Sequence, residues 1–520
     1  MKIRGNVLRL YKDLHTWVGI CAGIVLFIGF FAGALSMFKP AIDDWATPPS
    51  QQLKALPLLE LEQRLPALRQ QYPALNHGFE LHLSSTDSAT LSWSQAAASR
   101  RVDLNAEQAV AGLNAQGEFQ VVKAVPSQLA ALVDLLHRTA GIPGGFGHEM
   151  LGVLVMGVAS ALYFLALVSG LILLLPTLVK DFFSLRQSSN KRFWLDTHNL
   201  LGITSFPFHV LISLSVVVFA FHDIIYDSLQ HTAYGQKNMF SFPKGHHDKS
   251  GEPLPLTHLV AKTQAAAAGF KVGTISVSGL GSPRASVRAS AYSDRYFSRG
   301  ATGGFVSLNP YSGKVVMRDY LPESSNAWGN TVNSFFTLHF GSFGGPVIKW
   351  VYFLLGLAGA GVFYTGNLLW LENRRKRQQK DGVIPKQSLA SRVMAALTVG
   401  CCLGSVAGVA GAMLAGKWLQ AWVANINDWY LGVYYLLFLG FVAFSLVKGA
   451  ASNPILLNST ALLALAVPLS SLLAAISGYS WPANTLATAS VDATVLVAAA
   501  LLFWLAKIAK RRQQPDSVWG

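Results

Sequence analysis

At 520 residues, 52% of them hydrophobic and only 13% charged, the chain is too apolar for an ordinary soluble enzyme. Its formal net charge of +15 comes from basic clusters beside apolar runs, not from a binding face, which excludes nucleic acid as a partner. Cys21, Cys401 and Cys402 all lie inside apolar runs, which excludes a disulfide framework, a Cys-rich metal site and iron–sulfur clusters.

Runs of about 20 apolar residues, enough to cross a hydrocarbon core roughly 30 Å thick, recur along the chain. They lie near 16–38, 150–175, 200–222, 347–371, 393–415, 430–448, 455–477 and 489–508, which predicts eight spans. The first run is too long for a signal peptide. It ends in Phe38-Lys39-Pro40 without a small-residue cleavage site, so it reads as a retained anchor. Basic residues gather at Lys2–Lys12, Lys180–Arg192, Arg374–Lys380 and Lys507–Arg512. With eight spans all four clusters face one side, which the positive-inside rule makes the cytoplasm, with both termini inside.

Two long polar segments, 39–135 and 223–337, then lie on the opposite side. The first predicts a helix over Leu58–Gln71, with Leu58, Leu61, Leu65 and Leu68 on one face and Pro57 at its start; Pro66 weakens it. A strand over Phe79–Leu83 follows, then a hairpin from Val102-Asp103-Leu104-Asn105 to Gly117-Glu118-Phe119. The second segment repeats the order: a helix over Leu256–Ala268, a strand over Val272–Val277, and a hairpin through Asn309-Pro310-Tyr311-Ser312-Gly313. The connection 176–196 is too small for a flavin or nicotinamide domain, so any electrons entering there need a separate donor. From about residue 388 the spans carry no histidine.

The histidines repeat as well. His15 in Leu14-His15-Thr16-Trp17-Val18-Gly19 and His198 in Thr197-His198-Asn199-Leu200-Leu201-Gly202 each open an apolar run. His137 precedes the glycine-rich stretch Gly141–Gly147, and His339 precedes Gly341–Gly345. Ionisable side chains at span ends are costly and by default functional. The pairs suggest axial ligands for two haems: His15 with His198 on the cytoplasmic side, and His137 with His339 on the outer side. Gly19 and Gly202, one turn on, leave room for a flat ring.

Other histidines leave the assignment open. His209 lies eleven residues past His198, roughly 16 Å deeper on a continuous helix. Ligation, a haem-edge hydrogen bond and a proton relay are all open to it, and Pro207 predicts a bent backbone there. His222 is an alternative outer ligand, and His148 reads mainly as a helix cap. His246-His247-Asp248 sits in a solvated loop rather than in a metal site. Trp328, Phe335, Phe336, Phe340 and Phe343 form either a ligand platform or an interfacial aromatic belt.

The unit Leu136-His137-Arg138, Ile142-Pro143-Gly144-Gly145, Ser169-Gly170, Trp194-Leu195-Asp196-Thr197-His198-Asn199 and Phe206-Pro207-Phe208-His209 resembles the PepSY-associated transmembrane family of iron-regulated membrane proteins. Leu338-His339-Phe340-Gly341, Thr365-Gly366 and Trp370 before Arg374–Arg377 fit the same pattern, and the resemblance covers about residues 5–380. It implies PepSY-like modules in the bacterial periplasm and, in some members, haem-bearing reduction of ferric siderophores at the inner membrane.

The expected fold is a membrane all-α helical bundle of about eight spans with two periplasmic α+β PepSY-like modules. Its divisions are 1–38, 39–135, 136–222, 223–337, 338–380 and 388–510. The expected function is an inner-membrane oxidoreductase with two haem b groups, in contact with the lipid bilayer. It passes electrons from a cytoplasmic or membrane donor to a ferric siderophore or chelate, as a haem-dependent ferric reductase. The alternative is a non-enzymatic membrane protein that binds a periplasmic partner or transports a siderophore.

Overall fold

The structure is a computed structural model. It describes residues 4–94, 107–147, 149–182, 184–233, 235, 252–293, 304–318, 321, 327–378, 384–477, 481 and 485–519. In chain order, α1 (Gly5–Ser36) and α2 (Lys39–Ala46) precede β1 (Leu56–Pro57), α3 (Leu58–Gln71), β2 (Gly78–Leu83), β3 (Ser88–Ser94), β4 (Gln108–Leu113) and β5 (Phe119–Ala124). Then come α4 (Leu129–Thr139), β6 (Gly145–Phe146), β7 (Glu149–Met150), α5 (Leu151–Leu174), α6 (Leu178–Asp181), α7 (Asn190–Thr204) and α8 (Phe206–Thr232). Next are α9 (Leu256–Ala266), β8 (Lys271–Ser278), β9 (Ser286–Tyr292), β10 (Gly304–Leu308), β11 (Val315–Met317), α10 (Ala327–Phe340) and α11 (Gly345–Arg374). The chain closes with α12 (Leu389–Trp418), α13 (Asn427–Lys448), α14 (Asn453–Ser477) and α15 (Leu486–Arg511).

Eight helices among the described residues are long and apolar enough to cross a membrane: α1, α5, α8, α11, α12, α13, α14 and α15. The protein is therefore a multi-pass membrane protein, with its spans where the apolar runs predict them. The third span needs correction. Asn190–Thr204 is a separate helix, broken from α8 at Ser205 (φ −104°, ψ 10°). His198 thus precedes the span instead of opening it, and the depth assigned to His209 on one continuous helix no longer holds. The break falls just before Pro207, which has no N–H to continue a preceding helix.

The chain divides into two compact units. The helical one comprises 1–46, 127–222 and 351–520. Its most buried span is α12, where 72% of the most apolar window is inside, against 17% for α15. Gly400, Gly404 and Gly408 on α12 let α13 approach so closely that an added Cβ would sit 2.7 Å from Val442 Cα, 2.9 Å from the Phe438 carbonyl and 2.6 Å from Tyr434 Cδ2. In lipid, such small residues let backbones pack where hydrophobicity alone cannot drive helices together.

The second unit comprises 47–126 and 223–350. The helix over Leu58–Gln71 forms with those bounds and buries Leu58, Leu61, Leu65 and Leu68. Both predicted strands form, within Gly78–Leu83 and Lys271–Ser278. The two segments do not close as separate modules, however. One antiparallel sheet runs β11-β10-β9-β8-β2-β3-β4-β5, with β1 paired to β3. Its centre is the β2–β8 pair, Gly78 opposite Ser278 through His82 opposite Thr274, and three strands lie to either side in mirrored order. One core serves both halves: Phe79, Leu81 and Leu91 from the first, Ile275, Val287 and Val306 from the second. The first hairpin turns at Asn114–Glu118, whose Asn114 Oδ1 accepts from the Gln116 and Glu118 N–H groups. Val102–Asn105 lie outside the described residues.

Candidate functional site

The site is built from one local device used three times: an imidazole laid against a neighbouring helix at a glycine. On α1, His15 Nδ1–H donates to the Ala166 carbonyl of α5 at 2.8 Å. A carbonyl only accepts, so the proton is on Nδ1 and Nε2 keeps its lone pair. Four residues after Ala166, a Cβ on Gly170 would lie 2.9 Å from His15 Cε1, so only glycine lets the ring lie there undisturbed. On α7, His198 Nδ1–H donates to the Val362 carbonyl of α11 at 3.0 Å, with Thr365 Oγ1 at 3.3 Å. Gly366, again four residues past the acceptor, faces His198 Cε1 at 3.3 Å for an added Cβ.

The two rings come together. Their centroids are 6.0 Å apart with planes at 74°. Both line a cavity of about 460 Å³ with Gly19, Gly202, Tyr163 and Trp370. That volume is within the roughly 300–1,000 Å³ usual for small-molecule and cofactor sites. An added Cβ at Gly19 or Gly202 meets nothing within 4 Å, so the room expected beside each histidine is there. Lys12 and Lys191 also line the cavity, and no carboxylate is among the described lining residues. The Trp370 Nε1 donor is buried without a hydrogen-bond partner among the described residues. This donor set fits a planar group that carries its own equatorial ligands and an anionic edge.

Two residues before His198, one buried carboxylate gathers two partly exposed arginines at the start of α7. Asp196, fully buried, accepts from Arg186 Nε at 2.8 Å, Arg186 Nη2 at 2.9 Å and the Arg186 backbone N–H at 2.9 Å. Arg192 Nε stands 3.1 Å from its other oxygen. The start of α7 is capped by Ser189, whose Oγ accepts the Arg192 N–H at 3.2 Å.

His209 on α8 is fully buried. Ser205 Oγ donates to the Leu201 carbonyl at 2.5 Å, so it accepts from His209 Nε2–H at 2.6 Å. The proton is then on Nε2, and Nδ1 is left buried with no partner among the described residues. Phe30, Phe208 and Tyr163 surround the ring at centroid distances of 5.5, 5.6 and 5.8 Å.

The third use of the device is His137 in the last turn of α4. Its Nδ1–H donates to the Gly29 carbonyl of α1 at 2.8 Å, and a Cβ on Gly33 would lie 2.7 Å from that nitrogen. The helix stops just after it because Ala140 (φ 51°) and Gly141 (φ 75°) turn left-handed. Gly29 is fourteen residues along α1 from His15, about 21 Å at 1.5 Å per residue.

The remaining candidates stand apart. His222 Nδ1–H turns back to the Phe219 carbonyl of its own helix at 2.8 Å. His339, in the last turn of α10, is 8% exposed and its ring lies 5.2 Å from Phe340. It belongs to the other compact unit from His137. Of the aromatics around His339, Phe336 and Phe340 lie 6.1 Å apart and Phe335 is exposed. His148 and His246–Asp248 lie outside the described residues. Among the described residues, no group of three or more His, Cys, Asp or Glu could hold a bare ion.

Sequence reasoning singled out the imidazoles but not their acceptors. The repeats Ser169-Gly170 and Thr365-Gly366 were the available signal for Ala166 and Val362, three residues earlier in each case. Gly29, Gly33 and the unpaired Trp370 donor carried no such signal.

Among curated proteins, no relative matches the chain. The family profile described as the PepSY-associated TM region matches residues 12–373, which include His15, His137, His198, His209 and His339. The chain belongs to the PepSY-associated transmembrane family.

Proposed function

We propose that the protein is an inner-membrane oxidoreductase with two haem b groups that carries electrons from the cytoplasmic side to ferric iron in a periplasmic siderophore or chelate. The carrying observation is the tautomer of His15 and His198: each donates Nδ1–H to a carbonyl, leaving two Nε2 lone pairs at one cavity. Ligating histidines characteristically tie off their other nitrogen in this way. Haem, when bound, supplies a one-electron Fe(III)/Fe(II) couple.

The chain's own residues do the rest. Gly170 and Gly366 admit the rings, Lys12 and Lys191 would neutralise an anionic edge, and Trp370 Nε1–H would offer it a hydrogen bond. Phe30, Phe208 and Tyr163 pack around His209, with Phe363 against Phe30 and Tyr163, and on α1 Phe30 is next to Gly29, the acceptor of His137. His137, with the same tautomer, would offer a ligand to the second group. The orientation rests on the basic clusters beside the spans, which favour the cytoplasm at Lys12, Lys191, Arg374–Arg377 and Lys507–Arg512. One-electron reduction suits iron release because Fe(II) binds hard-oxygen chelators far more weakly than Fe(III).

The test is an absorption spectrum with a pyridine haem count on protein from cells supplied with haem precursor. Two haems per chain are expected, and one after His15→Ala or His198→Ala. A colourless preparation, or a double variant that keeps two haems, overturns the reading.

A further inference from the structure

A second cavity, of about 240 Å³, lies within the helical unit between α7 and α11 on one side and α12, α14 and α15 on the other. Its walls are aromatic at Phe27, Trp194 and Tyr364 and aliphatic at Leu457 and Leu505. Leu505 is 37% exposed on the outer face of α15, so the cavity reaches the surface that lipid covers.

Its polar end is unfinished. Asn453 Oδ1 and Arg512 Nη1 both belong to residues lining the cavity, and both are buried without a hydrogen-bond partner among the described residues. Leaving an acceptor and a donor unpaired in a buried place is costly, unless something else completes them. The Arg512 guanidinium is held by stacking over Phe193 at 4.2 Å and Trp194 at 5.5 Å. The Glu372 carboxylate lines the same end, 3.6 Å from Arg375.

The cavity also borders the histidine site. On α11, Gly366 and Trp370 line the histidine cavity, while Tyr364, Leu368 and Glu372 line this one. α7 likewise gives Trp194 to this cavity and Leu195 and His198 to the other, so the two cavities share these helices as walls.

We propose that this cavity binds a membrane quinol that donates electrons to the His15–His198 site; the direction of transfer rests on the function proposed above. A flat ring fits between the aromatic walls, and an aliphatic tail leaves past Leu505. One ring hydroxyl donates to Asn453 Oδ1, and the ring oxygen accepts from Arg512 Nη1. The carboxylate at the same end argues against a phosphate headgroup. In the step, the quinol becomes the quinone by losing two electrons and two protons. The electrons would leave one at a time toward the His15–His198 site, where haem, when bound, would supply a one-electron acceptor for each in turn. One proton goes to the Glu372 carboxylate and the other to water at the cavity mouth.

The test uses full-length protein in detergent and decylubiquinone as the probe, read by saturable quenching of tryptophan fluorescence. Wild type is expected to saturate at one quinone per chain. Asn453→Leu and Arg512→Met should each weaken binding at least tenfold, and Val406→Phe, which fills the cavity from its apolar wall, should do the same without touching a polar group. Melting curves select the variants that are folded. His15→Ala should bind the quinone as wild type does, because it leaves this cavity intact. Quinone binding unchanged in all three folded cavity variants overturns the inference, as does a tightly retained phospholipid that the quinone does not displace. A colourless protein whose quinone binding is lost in the variants keeps the site and removes only the haem reading. A haem protein whose quinone binding ignores the variants does the reverse.

Discussion

The three glycines beneath the imidazoles differ in how tightly they are used, and the difference makes a ranking. An added methyl would stand 2.7 Å from His137 Nδ1 at Gly33, 2.9 Å from His15 Cε1 at Gly170 and 3.3 Å from His198 Cε1 at Gly366. Overpacking of this kind costs about 1–3 kcal/mol, whereas exchanging glycine for alanine inside a helix gains roughly 0.5–1 kcal/mol. At 3.3 Å the ring can yield by a few tenths of an ångström, so the two effects nearly cancel. Gly33→Ala and Gly170→Ala are therefore expected to lower the melting temperature and the haem bound per folded chain, and Gly366→Ala to leave both close to wild type. If Gly366→Ala proves the most damaging of the three, the rings do not rest on these helices as described.

At the scale of elements, α4 is the one whose placement depends most on others. Its first residues have no side-chain cap of their own. The Ala130 N–H instead donates to Asp43 Oδ1 on α2 at 3.2 Å, and the Gln128 N–H to Asn427 Oδ1 on α13 at 2.8 Å. At the other end, Tyr435 Oη–H donates to the Gly141 carbonyl at 2.6 Å. Burial pushes the Asp43 carboxyl up from 3.8 to about 6, against the opposing pull of the Ala130 N–H and Lys39. Between those values the folded chain holds a proton that the unfolded chain has released, so stability falls as pH rises from about 4 to about 6. At about 1.4 kcal/mol per pH unit, the charged form costs at most about 3 kcal/mol above that window. Asp43→Asn keeps an oxygen for the Ala130 N–H and removes the charge. It is expected to raise the melting temperature at pH 7 and to change it little at pH 4. A gain that is equal at both pH values would mean that the carboxyl is not the strained group.

For the whole molecule, the last four spans pack behind the His15–His198 site, through Arg512 over Phe193 and Asn367 donating to Thr398 on α12, but share a core directly with the helix that carries His137. Among the described residues, the cavity of His15 and His198 is lined by none beyond Asn373. By contrast α4, which carries His137, packs into a common core with α12 and α13 through Leu132, Val133, Leu136, Met413, Tyr430 and Tyr434. A chain ended after Lys386 is thus expected to keep the His15–His198 haem and to lose or loosen the one at His137, measured as haem per folded chain. Retention of both after truncation would show that α4 docks without the C-terminal bundle.

Much of this was written locally in the chain. The eight apolar runs specify the spans, because a bilayer demands length and apolarity of each helix separately. Leu58, Leu61, Leu65 and Leu68 specify α3 and its buried face by periodicity alone. The duplicated histidine motifs singled out His15 and His198, which the fold brings within 6.0 Å. Tertiary structure decided the rest. A strand pattern does not name its partner, so the joining of both polar segments at β2 and β8, some two hundred residues apart, was not readable. Nor was the break at Ser205, which a continuous apolar run conceals. The carbonyls that set each imidazole's tautomer belong to Ala166, Val362 and Gly29. Every residue offers a carbonyl, and only packing selects which one a histidine meets.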